Sequence, residues 1–518
     1  MSSRVLVLVF WVCAAFAAPP ARPRLILGIV VDQFRYDYLT RFRTDYNSGF
    51  DRLLTRGAVF TNARYEHYPT VTAIGHATFM TGATPSLSGI IGNSWYDRET
   101  GKQVTSVDDA SVQLLGRSNA AGASPRKLVV STLGDEMKLA WLGKSKVIGM
   151  SLKDRSAILP AGHIADGAYW FDPQSGNFVS STFYFKDLPQ WARDFNASRR
   201  ADRYLKAEWK PLAPRPDFPG FEKRMADTAD PRYYDALEAS PFGNELLEEF
   251  AERAIDAEKL GQDDITDLLT VSFSSNDYVG HEVGPDSPEV RDISIRTDRV
   301  IGKLLEFVDA RVGLANVLVV FTGDHGVPQI PELLAERRMP AGRLSGKVIL
   351  AAAEKALIER FGEGKWIAGS TGPAPYFDRA LIRSRKLTEA EVQRVAADAV
   401  AQLPHMYRVY TREQLLYGQV LPDIVTRRVV NGFYPSRASD LTVLEEPYWI
   451  QAAHGTTHGS VFEYDAHVPL IFMGAGIRAG KYHARVMPND IAPTLATLLE
   501  VETPSGSVGR VLTEMLDP

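Results

Sequence analysis

Cysteine is all but absent: one residue, Cys13, stands among 518. It lies in an N-terminal apolar segment, so a chain trimmed of that segment forms no disulfide and offers no thiolate to a metal or a substrate. No block of Lys and Arg occurs either. Arg199–Arg200 and Arg337–Arg338 are isolated pairs and the net charge is −5, which argues against a nucleic-acid partner or a polybasic membrane contact. After the N-terminus no apolar run approaches the roughly 18–20 residues of a spanning helix. Internal repeats and low-complexity segments are lacking. What is left is a globular chain of enzyme size, whose reactive groups are oxygen, nitrogen and imidazole.

The opening "MSSRVLVLVFWVCAAFAAPPARPR" has one early basic residue, Arg4, then an apolar run from Val5, then small residues and prolines. This is the layout of a secretory signal peptide, with an A-x-A-like site at Ala15–Phe16–Ala17 or a cut after Ala18. Residues 1–18 are expected to leave, and the run is short for a stable membrane anchor. Phe10-Trp11-Val12 ahead of Cys13 is a poor match to a lipoprotein cleavage box. An exported protein without disulfides fits a bacterial envelope, so a periplasmic or secreted location is expected.

Short apolar runs alternate with helical patterns. "LILGIVVD" ends at Asp32, "KVIGMSLKDR" runs into Lys153 and Arg155, "DLLTVSFSSND" reaches Asp277, and "NVLVVFTGDHG" reaches Asp324 and His325. "VPLIFMGAG" supplies a fifth run. Continuous Val- and Ile-rich runs closed by Gly, Ser or Asp predict strands buried on both faces, as in a parallel sheet covered by helices. Ligands bind such sheets outside the carboxyl ends of the strands. A single Asp there is an ordinary turn residue; four runs delivering charged or metal-binding side chains to one edge predict a site. The sheet-forming parts span 19–334 and 446–518, with a looser elaboration at about 157–260 in which "YWFDPQSGNF" reads as a surface hairpin. Residues 335–445, with the amphipathic "LTEAEVQRVAADAVAQL", read as an inserted cap of mixed α and β.

Asp277 and His281 are four apart, hence on one face of a helical turn and able to grip one ion. Asp324–His325 follows a strand among glycines, and "HGTTHGS" adds His454 and His458. Carboxylate and imidazole without thiolate suit Zn²⁺ in a hydrolytic site, or Mn²⁺. His76, within a predicted helix, reads as a packing residue. In "HYPTVTAIGHATFMTG" a proline and threonines crowd a helix start. They serve either as caps or to present a hydroxyl nucleophile to an anion. A metal pair about 4 Å apart would activate such a hydroxyl and stabilise both phosphoryl and leaving oxygens.

These motifs, with "VVDQFRYDYL", "GIIGNSWYD", "SLKDRSAILPAGH", "NDYVGHEVGP" and "GDHG" in order, resemble the alkaline phosphatase superfamily. The likeness is greatest to its Thr-nucleophile bacterial alkaline phosphatases of the phosphate-irrepressible kind. The resemblance implies a three-layer α/β sandwich with a mostly parallel central sheet flanked by helices, plus inserted α+β cap elements. It implies Thr72 as a nucleophile that forms a phospho-enzyme. Asp277, His281 and His458 would hold one Zn²⁺ and Asp32, Asp324 and His325 a second, with the Thr72 oxygen bridging toward it. The "GS" after His458 favours it over His454. Asn93 would donate to a phosphoryl oxygen, and Lys153 and Arg155 would clamp the others, pointing the same way if their segment is extended. A Lys/Arg pair rewards a monoester dianion, so the expected partners are small-molecule phosphate monoesters, acted on by a monomer. The alternative on the same scaffold is a nucleotide pyrophosphatase or phosphodiesterase.

Overall fold

A computed structural model describes residues 22–516; the expected signal peptide and Cys13 lie outside the described residues. One sheet is built from β1 (Leu25–Val31), β2 (Ala58–Phe60), β3 (Asp108–Leu115), β4 (Ala121–Ala123), β5 (Val147–Ser151), β6 (Gly167–Asp172), β7 (Asn177–Ser181), β8 (Asp267–Phe273), β9 (Val317–Gly323), β10 (Leu470–Gly474) and β11 (Gly480–Tyr482). Their order is β11-β2-β10-β9-β1-β8-β5-β6-β7-β3-β4. The neighbours β9, β1, β8, β5 and β6 all run parallel. Val31 pairs with both Phe273 and Gly323. Asp32 and Asp324 therefore leave their strands at one level.

The sheet and its edge are framed by α1 (Thr72–Thr81), α2 (Leu133–Ala140), α3 (Asp154–Ala161), α4 (Pro241–Glu258), α5 (Ser275–Val283) and α6 (Pro288–Val312). Between β9 and β10, α7 (Gly346–Phe361) and α8 (Glu389–Ala401) pack on each other, and α9 (Ile424–Gly432) and α10 (Ile491–Leu499) join the frame further along the chain. Alternate side chains of a strand point to opposite faces, and β1 shows the consequence. Leu25, Leu27, Ile29 and Val31 pack with Phe250 of α4 and with Ile301 and Leu304 of α6. Ile26 and Val30 pack with Phe79 and Met80 of α1, Met137 of α2 and Leu495 of α10. Burying each such side chain contributes about 1.5–3 kcal/mol, so packing on both faces holds the strand ends in register. The architecture is the expected three-layer α/β sandwich.

Three local readings are corrected. The fifth apolar run is β10, which lies antiparallel to β9; its continuous apolarity reflects cover on both faces and carries no information on direction. "YWFDPQSGNF" does form an antiparallel hairpin, β6–β7, but its strands are buried and belong to the central sheet. Its aromatic residues Phe171 and Phe178 explain this, for they pack into the core beside α4. Finally, Lys153 and Arg155 do not share an extended segment. Lys153 has extended backbone as the N-cap of α3, and Arg155 already lies in its first turn.

Residues between β9 and β10 gather an apolar cluster of their own, in which Ile349, Ala353 and Leu357 of α7 meet Val392, Ala396 and Val400 of α8 around Trp366 and Phe377. Helix α8 begins with a capping box, Thr388 accepting from the Glu391 N–H while the Glu391 carboxylate accepts from the Thr388 N–H. The i, i+4, i+8 spacing of its buried residues is the amphipathic pattern visible in the sequence.

Helix α3, which carries Arg155, is tied to α2 through Asp135. Its carboxylate accepts from the main-chain N–H of Thr132, His163 and Ile164 and lies 3.1 Å from His163 Nδ1. His163 Nε2 lies 2.9 Å from Leu128 O. With an acceptor at each ring nitrogen, the fold favours the doubly protonated imidazolium. The hydrogen bond to Asp135 raises the His163 pKa above its ordinary value, against the opposing effect of burial. A raised pKa means stabilisation that is complete below the unfolded value of about 6.5 and lost as pH rises through the higher folded value. His163→Gln should therefore destabilise the protein more at about pH 5 than at about pH 9. Melting curves at the two pH values check this; equal losses would refute it.

Candidate active site

Parallel strands bring their carboxyl-end residues to one buried edge. Asp32 follows β1, Asp277 lies in the first turn of α5 after β8, and Asp324–His325 follows β9; all four are buried. His281, one turn along α5, and His458, from the loop before β10, complete the group. One ligand atom from each of Asp277, His281 and His458 lies within 4.8 Å of the others, and the same holds for Asp32, Asp277 and His325. Asp324 Oδ2 stands 3.3 Å from His325 Nε2. Asp277 thus faces both groups, a position that strand-end reasoning does not reveal. His454 is exposed.

The imidazoles are oriented by the main chain. Nδ1 lies 2.8 Å from Thr456 O in His281, 2.8 Å from Thr70 O in His458 and 3.0 Å from Gly326 O in His325. A carbonyl only accepts, so each Nδ1 carries the proton, and in the neutral ring Nε2 presents a lone pair. Those Nε2 atoms face the carboxylates: His281 at 3.1 Å and His458 at 3.7 Å from Asp277 Oδ1, and His325 at 3.5 Å from Asp32 Oδ1. The His325 and His458 rings stack at 3.5 Å. Burial pushes His325 down to about 3 and holds His458 well below its usual range, helped by the neighbouring His325.

The carboxylates behave as a set short of positive charge. Burial and then Asp32 push Asp324 well above the usual carboxylate range. Burial opposes ionisation of Asp277 too, but Lys153, His281 and His458 hold it well below that range. Lys153 Nζ is 2.6 Å from Asp32 Oδ2 and 2.6 Å from Asp277 Oδ2, and 4.9 Å from the centre of the Tyr278 ring. Burial alone would lower its pKa, but these two carboxylates raise it. Asp32 Oδ1 and Asp324 Oδ2 are buried without a hydrogen-bond partner. Orphaned anionic oxygens facing imidazole lone pairs fit divalent cations.

Thr72 opens α1 and is 1% exposed. It is not the cap: Val71 holds that position, and no side chain caps the helix. Its Oγ1 lies 3.4 Å from His325 Nε2. The Asn93 Oδ1 accepts from the Ala73 N–H at 2.8 Å, which aims the Asn93 amide nitrogen as the remaining donor. Helix α1 comes this near because of Gly75, where a Cβ would lie 2.4 Å from Asp324 O. The small residues of "TVTAIGHATF" are thus a steric condition for setting Thr72 against the ligand cluster. The other threonines are structural, Thr70 Oγ1 donating to Ser460 O and Thr81 Oγ1 to Ala77 O. His76 packs behind the site, Nδ1 on Thr72 O and Nε2 on Ser272 Oγ.

Two residues with no sequence signal also serve the site. Gln33 donates its main-chain N–H to Asp324 Oδ1 at 2.9 Å and its side-chain amide to Asp277 Oδ1 at 2.7 Å. It does so from a left-handed backbone, φ 61°, a conformation that a glutamine adopts only when its surroundings impose it. Asp465 Oδ2 accepts from the N–H of Gly459 and of Ser460, and its carbonyl accepts from the Gly326 N–H. It thereby fixes the segments that carry His458 and His325.

Such a cluster beside a helix-terminal threonine, at the carboxyl edge of a mostly parallel sheet, is a candidate metal centre of the hydrolytic α/β class. The chain belongs to the type I phosphodiesterase / nucleotide pyrophosphatase family, matched over residues 26–462, within the alkaline phosphatase superfamily. It is 37% identical to the alkaline phosphatase PhoV of Synechococcus elongatus, covering 97% of this chain and 94% of that one. It is 38% identical to the alkaline phosphatase PafA of Elizabethkingia meningoseptica, covering 96% and 95%. A crystal structure of PafA superposes with a TM-score of 0.90 over 97% of this chain and 100% of that one, at 37% identity. Murine ectonucleotide pyrophosphatase / phosphodiesterase 5 shares only the fold, with a TM-score of 0.53 at 14% identity over 95% of this chain and 100% of that one.

Proposed function

We propose that this protein is an exported, zinc-dependent alkaline phosphatase that hydrolyses phosphate monoesters of broad structure through phospho-Thr72, releasing inorganic phosphate. The observation that carries the reading is the Thr72 hydroxyl, buried at a helix start and 3.4 Å from an inward-facing imidazole nitrogen of the carboxylate–histidine cluster. The names borne by PhoV and PafA support the same reaction class. Asp277, His281 and His458 would hold one zinc and Asp32, Asp324 and His325 the other. Bound there, two zinc ions would supply acidification of the Thr72 hydroxyl and charge stabilisation at the phosphoryl and leaving oxygens.

The chain's own groups do the rest. Thr72 Oγ1 attacks phosphorus in line with the leaving oxygen, so one P–O bond forms as the other breaks. Asn93 donates its amide N–H to an equatorial oxygen. Lys153 and Arg155 neutralise the second charge that a monoester carries and a diester lacks. Water then cleaves phospho-Thr72. The elements from 335 to 445 are proposed to form the cap over this edge, and the segment 1–18 to direct export. Among the described residues no helix is long and apolar enough to cross a membrane.

The test is metal analysis of purified protein, with phosphate release from an aryl phosphate monoester and a matched diester. Two zinc per chain and monoester preference are expected, with activity lost to a chelator and restored by Zn²⁺. Diester preference would instead favour a phosphodiesterase. Gln33 supplies a second check. Gln33→Gly keeps the N–H and suits the positive φ but removes the amide from Asp277. Zinc retention against a chelator should weaken by about 10- to 100-fold, as expected when a partner of a metal ligand is lost. Unchanged retention would remove the Gln33 side chain from any part in holding the metal.

A further inference from the structure

We propose that Arg428 is a positioning residue: from α9 it reaches across the boundary between the 335–445 region and the sheet, and locks together the two loops that present Thr72 and His458. It is 3% exposed, and its guanidinium makes contacts on both sides. Nη2 lies 3.4 Å from Glu66 Oε1, on the loop leading to Thr72, and 3.2 Å from Glu463 Oε1, beyond His458; Nη1 donates to Val461 O. One rigid fork thus spans both loops.

Other contacts follow the same line. Asn431 Nδ2 donates to Glu66 O at 2.6 Å. A Cβ on Gly432 would lie 1.7 Å from Tyr68 O, so the end of α9 rests directly on the backbone of the Thr72 loop. Val429 of α9 shares an apolar cluster with Val461, against which Tyr68 and Phe462 pack. The two loops also touch one another, His458 Nδ1 at 2.8 Å from Thr70 O and Thr70 Oγ1 donating to Ser460 O at 2.9 Å. Glu66 is held from outside by Arg427 and Arg485, and Glu463 by Arg64. Arg428 is the cation here that is buried and bonds to both loops.

This assignment rests on Thr72 being the nucleophile. A small displacement of a reacting group costs about 10- to 100-fold in rate. Arg428→Lys keeps the charge but cannot reach three acceptors with one ammonium. It should lose about 10- to 100-fold in kcat/KM, equally for an aryl phosphate monoester and its diester, while melting close to wild type. Glu66→Gln should lose in the same direction, and millimolar guanidinium should restore part of the activity of Arg428→Ala. If Arg428→Ala does not fold, the Lys and Gln variants carry the test. Wild-type kcat/KM in both, or a loss confined to the monoester, overturns the proposal. Thr72→Ala, assayed alongside, separates the two readings. Its retained activity would refute the nucleophile, whereas an inactive Thr72→Ala beside a fully active Arg428→Lys would refute the clamp alone.

Discussion

Thr72→Ala should lower phosphomonoester turnover by about 10⁴-fold or more, the scale seen when a covalent nucleophile is removed. Intact-mass analysis after an acid quench should show no phosphorylated protein, whereas wild type gives an 80 Da adduct at about one per chain (the mass added by one phosphoryl group). The size of the effect follows from the geometry. The hydroxyl is buried and caps nothing, so its loss removes little stability. It leaves the ligand cluster intact, because Asp32, Asp277, Asp324 and the three histidines reach one another without it. Thr72→Ser restores the oxygen and should restore a measurable share of the rate. An alanine variant with near-normal turnover would exclude the covalent route.

What the sequence disclosed is what depends on local pattern. Asp32, Asp277, Asp324 and His325 are legible because each closes or follows an apolar run, and parallel strands deliver such ends to one edge. The His281 spacing is legible because four residues make one helical turn. Strand direction is not, which is why β10 was free to run antiparallel, and neither is the depth of the β6–β7 hairpin. The extended K-x-R geometry failed because α3 starts at Asp154, a turn set by packing against β5 and α1. Gln33, Asp465 and Arg428 went unseen for a common reason. Gln33 and Arg428 act through hydrogen bonds to partners remote in sequence, Asp277 and Asp324 for the first and Glu66 for the second, and Asp465 joins a loop bonded locally at Gly459 and Ser460 to the distant Gly326. No periodicity encodes those.

Lys153→Ala and Arg155→Ala should each discriminate between substrates rather than simply weaken the enzyme. Monoester kcat/KM should fall by about 10²–10³-fold, the range for removing one preorganised charge from a transition state, and diester kcat/KM by far less. The reason lies in where the two charges sit. Lys153 Nζ is buried beside Asp32 and Asp277, and the Arg155 Nε is buried without a hydrogen-bond partner, so on the proposed reading it is a donor available to a phosphoryl oxygen. Under the proposed role, a monoester dianion would bring the extra negative charge for these two cations to meet, whereas a diester would replace that oxygen with an ester group and gain nothing from them. Arg155→Lys keeps the charge but loses the fork that matches two phosphoryl oxygens, so it should recover only part of the monoester rate. Equal losses on both substrates in the two alanine variants would mean that the pair serves the carboxylate cluster instead of the phosphoryl group. The monoester assignment would then lose its structural basis.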